Sequence, residues 1–102
     1  MSEQILKDID SSNSPILLDF TGKYCSPCKA IKPVMEVVKS EFQSQMYFIE
    51  IDVEEHSDIA AKYNIMRIPT ILLIKNGEVI EQVTGMVSKS NLEKLIKGVL
   101  ND

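Results

Sequence analysis

The only two cysteines of this chain lie three residues apart in the segment KYCSPCK, residues 23–29. Such a pair can form a structural disulfide, supply half of a metal site or take part in thiol–disulfide exchange. A cysteine attacks a disulfide as its thiolate, so a reactive pair needs surroundings that favour negative charge. Cys25 is expected at a helix N-terminus, where unpaired backbone N–H groups stabilise an anion. Lys23, Lys29 and Lys32 add positive potential, so the segment favours a reactive pair.

The two-residue spacer, Ser26 and Pro27, holds the thiols one turn apart. Pro27 falls in the first turn of the expected helix, where its missing N–H is no loss, and it stiffens the spacer. From this distance Cys28 can attack a mixed disulfide formed at Cys25 and release the bound partner. Cys25 is therefore the candidate attacking thiol and Cys28 the candidate resolving thiol.

The competing interpretations are a metal site and an inert disulfide. A zinc site usually needs four protein ligands, whereas the chain has no third cysteine and one histidine, His56, which is interpreted as a surface residue. A chain of 102 residues with 44% hydrophobic content can build a core without a disulfide or a structural metal. We therefore expect no metal, and we expect the cysteines to be available for chemistry.

Composition and charge restrict the compartment and the partners. The N-terminal residues are charged, and no stretch approaches the ~18 apolar residues of a membrane span, so we expect a cytoplasmic protein that does not bind membranes. Thiols are kept reduced in the cytosol, which disfavours a purely structural disulfide. The net charge of −4 argues against nucleic-acid binding, which needs a basic surface. The expected partners are proteins or small molecules.

Hydrophobic periodicity predicts one domain, residues 1–102, without repeats or linkers. The predicted elements are a short helix carrying Ile5, Leu6 and Ile9, a buried strand at 16–20, a helix from about Cys25 to Phe42 kinked at Pro33, a strand at 46–53, a short helix from Ser57 to Tyr63 ended by Asn64, a hairpin turning at Asn76-Gly77, and a last helix with a capping box at Ser90 and Glu93. This order indicates an α/β fold with a mixed sheet and helices on both faces.

Four segments in this order, LLDF, YCSPCK, RIPT and KNGEVIEQVTG, resemble the thioredoxin family, and the likeness extends from about Pro15 to the C-terminus. The resemblance implies a thioredoxin fold, a dithiol–disulfide exchange cycle and a cis peptide before Pro69. It also implies disulfide-containing protein substrates, no bound cofactor, and electrons supplied by a thioredoxin reductase, a flavoprotein that uses NADPH.

The same resemblance suggests a substrate-binding surface near Cys25. Ile68, followed by Pro69 and Thr70, would present backbone groups to an extended substrate segment. Gly85 and Met86 would line this surface, although a turn glycine and a partly buried core methionine are the alternative interpretation. The active-site loop would comprise Tyr24, Ser26, Pro27 and Lys29.

Two acids complete the candidate site. By resemblance, Asp19 is a buried carboxylate beneath Cys28 that accepts its proton, and an acid within an apolar strand is expected to have a raised pKa. A satisfied structural acid is the alternative. Glu50 occupies a position where thioredoxins commonly carry a lysine, so a second carboxylate would oppose ionisation of Asp19. Alternatively, Glu50 points into water at a sheet edge, where the coupling is screened.

Several departures from the family pattern alter these expectations. Thr21 and Tyr24 stand where tryptophan is usual, Ser26 stands where glycine is usual, and the chain has no tryptophan. The residues of the family's first edge strand are absent, which predicts a four-stranded sheet with strand 46–53 at its edge. We expect a monomeric protein-disulfide reductase. The alternatives are a dedicated reductant of one partner and a thioredoxin-fold interaction module without turnover.

Overall fold

The computed structural model describes residues 2–101 of the chain. Its elements are α1 (Ser2–Ser11), β1 (Ile16–Thr21), α2 (Ser26–Phe42), β2 (Tyr47–Asp52), α3 (Ser57–Lys62), β3 (Thr70–Lys75), β4 (Glu78–Thr84) and α4 (Lys89–Leu100). Within this part of the chain, none of the helices is both long enough and apolar enough to cross a membrane.

The four strands form one mixed sheet in the order β2-β1-β3-β4. β1 pairs in parallel with β2 and antiparallel with β3, while β3 and β4 form the predicted hairpin. A parallel pair needs a crossover connection, and α2 supplies it. The expected α/β class and the four-stranded sheet with β2 at its edge are confirmed.

Hydrophobic residues pack on both faces of the sheet. On one face, α1 and α3 cover β1 through a cluster that includes Ile9, Ile59 and Phe20. On the other face, α2 and α4 pack on the sheet through a cluster that includes Val38 and Ile96. A strand covered on both sides needs apolar residues in succession, which explains the run at the start of β1.

The turns follow the predicted chemistry. Asn76 and Gly77 have φ values of 53° and 80°, as a two-residue hairpin turn requires. Asn64 has φ 54° after α3, which confirms the left-handed residue expected there.

The predicted capping box of the last helix is wrong. The N-cap of α4 is Ser88, whose Oγ accepts a hydrogen bond from the Asn91 N–H at 3.1 Å, so the helix begins before Ser90. Glu93 instead forms an ion pair with Lys89 one turn earlier, at 3.2 Å. Ser88 and Ser90 are both suitable caps by residue type, and the structure uses the first.

Candidate active site

Cys25 is the N-cap of α2, one residue before the helix proper. Its backbone is extended, with φ −114° and ψ 101°, and its Sγ accepts a hydrogen bond from the Cys28 N–H at 3.2 Å. Pro27 lies in the first turn, as predicted. Because N-terminal N–H groups and the positive end of the helix dipole favour an anion, this position will stabilise a Cys25 thiolate after reduction.

The two cysteines form a disulfide with their Cα atoms 5.2 Å apart. In this oxidised state Cys25 is 8% exposed and Cys28 is 5% exposed, so burial alone scarcely separates the two thiols. The surrounding loop residues Tyr24, Ser26, Pro27 and Lys29 are all exposed. The position at the helix cap, more than accessibility, therefore distinguishes Cys25 from Cys28.

The loop before β3 contains the expected cis peptide between Ile68 and Pro69. The Gly85 N–H donates a hydrogen bond to the Pro69 carbonyl at 2.8 Å, which joins the end of β4 to this loop. Gly85 has φ 88°, a conformation that favours glycine. Ile68 is half-buried and Met86 is 56% exposed, so Met86 is available at the surface.

Thr70 lies beneath the same loop and not on its surface. It is 1% exposed, and its hydroxyl donates a hydrogen bond to the Arg67 carbonyl at 2.6 Å. Its Oγ1 also lies 3.4 Å from Thr84 Oγ1. Any contribution of Thr70 to substrate binding is therefore through the shape of the loop, because its side chain is already used inside the protein.

Asp19 lies on β1 between the cross-strand partners Glu50 on β2 and Ile71 on β3. Its Oδ1 is buried and has no hydrogen-bond partner among residues 2–101, which does not fit a satisfied structural acid. Burial is the main cause that raises the pKa of Asp19 to about 6, and the charge of Glu50 adds to the increase. Lys32 acts in the opposite direction. A carboxyl with this pKa can accept a proton near neutral pH.

Glu50 shares a face of the sheet with Asp19, since residues paired in register on adjacent strands point to the same side. The Glu50 side chain is exposed, so water partly screens its charge. Both acids line a cavity of about 230 Å³ between α2 and the β1–β2 edge. The structure therefore combines the two expectations for Glu50: it lies at the sheet edge and still faces Asp19.

Sequence reasoning did not identify Gly22, which lies between β1 and the cysteine loop. A Cβ atom built there would lie 2.7 Å from Ile68 Cδ1, so a larger residue at position 22 would displace the end of the Ile68 side chain. It also did not identify Met66, which is 83% exposed two residues before Ile68. A glycine directly after a buried strand was the available signal for the first; the sequence carried no comparable signal for the second.

His56 lies at the start of α3 and is half-buried. Its Nδ1 is 2.8 Å from the hydroxyl of Ser2, which in turn donates to Asp58 at 2.7 Å. This contact links α1 to α3 on the face of the sheet opposite α2. Among residues 2–101, no group of three or more histidine, cysteine or acidic side chains is arranged to hold a metal ion.

Both sulfurs of the disulfide are carried by one short segment, the cap and first turn of α2. Ile68, directly before the cis-proline, lies near Gly22 at the start of the cysteine loop. A two-residue cysteine spacing at the N-terminus of a crossover helix between parallel strands is typical of proteins that exchange thiols and disulfides.

A family model described as Thioredoxin matches residues 2–98. The chain is 38% identical over 94 residues to Thioredoxin C-2 of Corynebacterium nephridii, covering 92% of this chain and 87% of that protein. It is 39% identical over 87 residues to Thioredoxin of Bacillus subtilis (strain 168), covering 85% and 84%. The chain belongs to the thioredoxin family, and it is a thiol–disulfide oxidoreductase, a disulfide reductase with Cys25 and Cys28 as its redox-active pair.

Proposed function

We propose that this protein reduces disulfides of other proteins, with Cys25 as the attacking thiol, Cys28 as the resolving thiol and Asp19 as the proton acceptor. The observation that carries the proposal is the position of Cys25 at the N-cap of α2, where its sulfur already accepts the Cys28 N–H. A thiolate formed at this atom meets a hydrogen-bond donor and the positive end of the helix dipole.

The reaction consists of two exchanges. The Cys25 thiolate attacks one sulfur of the substrate disulfide, which forms a mixed disulfide and releases the other substrate sulfur as a thiolate that takes up a proton. Cys28 then loses its proton to Asp19 and attacks the Cys25 sulfur. The Cys25–Cys28 bond forms, the bond to the substrate breaks, and the second substrate thiol leaves. The substrate is reduced by two electrons and the Cys25–Cys28 pair is oxidised.

Asp19 is suited to this role because its burial keeps its pKa within reach of neutral pH. In this proposal Glu50 adjusts the same property, since a second carboxylate on the same face opposes ionisation of Asp19. A group that is neutral in part of the population near pH 6 can both accept and return a proton during a cycle.

The proposed substrate surface surrounds the disulfide. It comprises exposed Tyr24 and Met86 together with Ile68 and Gly85, and the loop before Pro69 offers backbone to an extended substrate segment. An exposed methionine suits apolar contact with a partner. The replacement of the family's usual tryptophans by Thr21 and Tyr24 supports the narrower alternative, a dedicated reductant of one partner.

The remaining parts of the proposal concern electron supply and location. Electrons would pass from a thioredoxin reductase to the Cys25–Cys28 pair and on to the substrate, without a cofactor bound to this chain. The proposed compartment is the cytoplasm, where a pair that must be re-reduced after each turnover meets reducing conditions. We propose that the protein acts as a monomer.

Reduction of insulin by dithiothreitol, followed as turbidity, tests the reductase proposal without a matching reductase. The parent protein should accelerate precipitation, whereas Cys25→Ser, which keeps one thiol, should match the background rate. Parent protein that fails to exceed the background would favour the interaction module. Activity with one cellular disulfide protein but not with insulin would favour a dedicated reductant.

A further inference from the structure

Two neighbouring cavities lie between α2 and the sheet edge. The first, about 230 Å³, reaches Asp19. The second, about 190 Å³, reaches Cys28. Lys32 and Glu50 line both cavities, so these two side chains form the boundary between the proposed proton acceptor and the resolving thiol.

Helix and sheet geometry explain why these two residues meet there. Lys32 follows Cys28 by four positions on α2, so the two side chains lie on the same helix face, one turn apart. Glu50 is the in-register partner of Asp19 on β2. The lysine therefore approaches the cavities from the helix and the glutamate approaches them from the sheet.

The charged groups around Asp19 come from two elements. On α2, Lys32, Glu36 and Lys39 line its cavity, and on β2 Glu50 does so. The partner of Asp19 on β3, Ile71, carries no charge. Of these groups, Lys32 lowers the pKa of Asp19 and Glu50 raises it, both by less than burial does.

We infer that Lys32 is a positioning residue for disulfide resolution, which opposes Glu50 at the shared boundary of the two cavities and thereby favours ionised Asp19 while Cys28 attacks. This inference rests on the proposed role of Asp19 as the acceptor of the Cys28 proton. It gives Lys32 a function separate from the general positive potential that the lysines provide near Cys25.

Removal of the two charges should have opposite consequences. Without Lys32, ionised Asp19 loses a favourable partner, so resolution should need a higher pH. Without Glu50, ionised Asp19 loses an unfavourable neighbour, so resolution should begin at a lower pH. Because both side chains are exposed, each shift should be small, about 0.3–0.5 pH units, and should diminish in ~0.5 M salt.

The test is a stopped-flow reaction of reduced protein with a substoichiometric aromatic disulfide from pH 5.5 to 9.5. The first aromatic thiolate released reports attack by Cys25 and the second reports resolution by Cys28. The variants are Lys32→Gln, Glu50→Gln and their combination, and Lys94→Gln on α4 is the matched control for loss of one exposed lysine.

We expect Lys32→Gln to move the midpoint of the resolution phase to higher pH, Glu50→Gln to lower it, and the combination to lie between them. Lys94→Gln should match the parent. Lys32→Glu alone should move the midpoint to higher pH. Exchange of the charges, Lys32→Glu with Glu50→Lys, should reverse most of that shift. A Lys32→Gln profile that superimposes on the parent, or that shifts by an amount independent of salt, would overturn the inference.

Asp19→Asn separates failure of this inference from failure of the proposed function. If Asp19→Asn leaves the resolution profile unchanged, the proton-acceptor role is wrong and the inference falls with it. If Asp19→Asn slows resolution near neutral pH while Lys32→Gln has no effect in the parent background, only the inference about Lys32 is wrong. In the Asp19→Asn background, Lys32→Gln should cause no further shift.

Discussion

The two faces of β1 share one backbone but differ in what they bury. On the face covered by α1 and α3, Ile16, Leu18 and Phe20 are at most 2% exposed. On the face covered by α2, Leu17 is buried, whereas Asp19 carries a buried oxygen that has no hydrogen-bond partner among residues 2–101. Both faces of β1 contribute to the core, but only the face covered by α2 also accepts a less favourable residue, at the position where chemistry is proposed. The proposed chemistry is thus confined to one face of the strand, whereas the other face serves packing alone.

The largest effect is expected from the thiols, which lie on the α2 side of this division. Cys25→Ser should abolish turnover, and Cys28→Ser should accumulate a mixed disulfide with substrate because no thiol remains to release it. Mass spectrometry of each variant after incubation with substrate measures this. Iodoacetamide at pH 7 should label Cys25 of the reduced parent first, and peptide mapping that finds Cys28 labelled first would reverse the roles.

Leu18→Ala tests the face that serves packing alone. The side chain is completely buried, so its truncation should lower the free energy of unfolding by about 2–5 kcal/mol. The pH dependence of disulfide resolution should not change, because Leu18 points away from α2. Urea denaturation and the stopped-flow resolution phase measure the two properties separately. A shifted resolution profile in this variant would show that the faces are not independent.

Asp19→Asn tests the other face and should stabilise the protein. The pKa of Asp19 is raised from 3.8 to about 6, so the native state retains a proton that the unfolded state loses between these values. The parent therefore loses stability as the pH rises through this window and does not recover it above. Asn avoids this loss and should be more stable by about 1–3 kcal/mol at pH 8, and by roughly 1 kcal/mol less at pH 5.

Urea denaturation of Asp19→Asn and the parent at both pH values checks this expectation. If Asp19→Asn is no more stable than the parent at either pH, Asp19 is not a poorly solvated acid. The same variant should slow resolution by Cys28, so a gain in stability accompanied by a loss of activity is the combined signature.

The smallest effect is expected at Glu50, at the exposed margin of the α2 face. Glu50→Gln removes a charge that opposes ionisation of Asp19, and Glu50→Lys replaces it with a favourable one. Both should move the resolution profile to lower pH, with Lys more effective than Gln. Single-turnover resolution from pH 5.5 to 9.5 measures the shifts, and superimposable profiles for all three proteins would remove Glu50 from the mechanism.

Local sequence features predicted the elements that depend on neighbouring residues. The hairpin turn at Asn76-Gly77 and the left-handed residue Asn64 follow from backbone preferences that act over a few residues. The prediction of the α4 cap was wrong because local preferences did not single out one residue. Two suitable serines, Ser88 and Ser90, lie two positions apart, and residue type does not decide between them.

The sequence by itself determined the type of chemistry, because the CSPC motif is a matter of residue types at short range. It also predicted the helices and strands, because hydrophobic periodicity is a local pattern. The cis peptide at Pro69 and the role of Asp19 were anticipated through family resemblance and not from local pattern. Three contacts were decided only by the tertiary structure. Gly22 lies near Ile68, and the Thr70 hydroxyl donates to a carbonyl inside the protein. Lys32 and Glu50 line the same cavity from the helix and from the sheet. These are contacts between separate elements, and their energies depend on distances and solvent exposure that residue spacing along the chain does not specify.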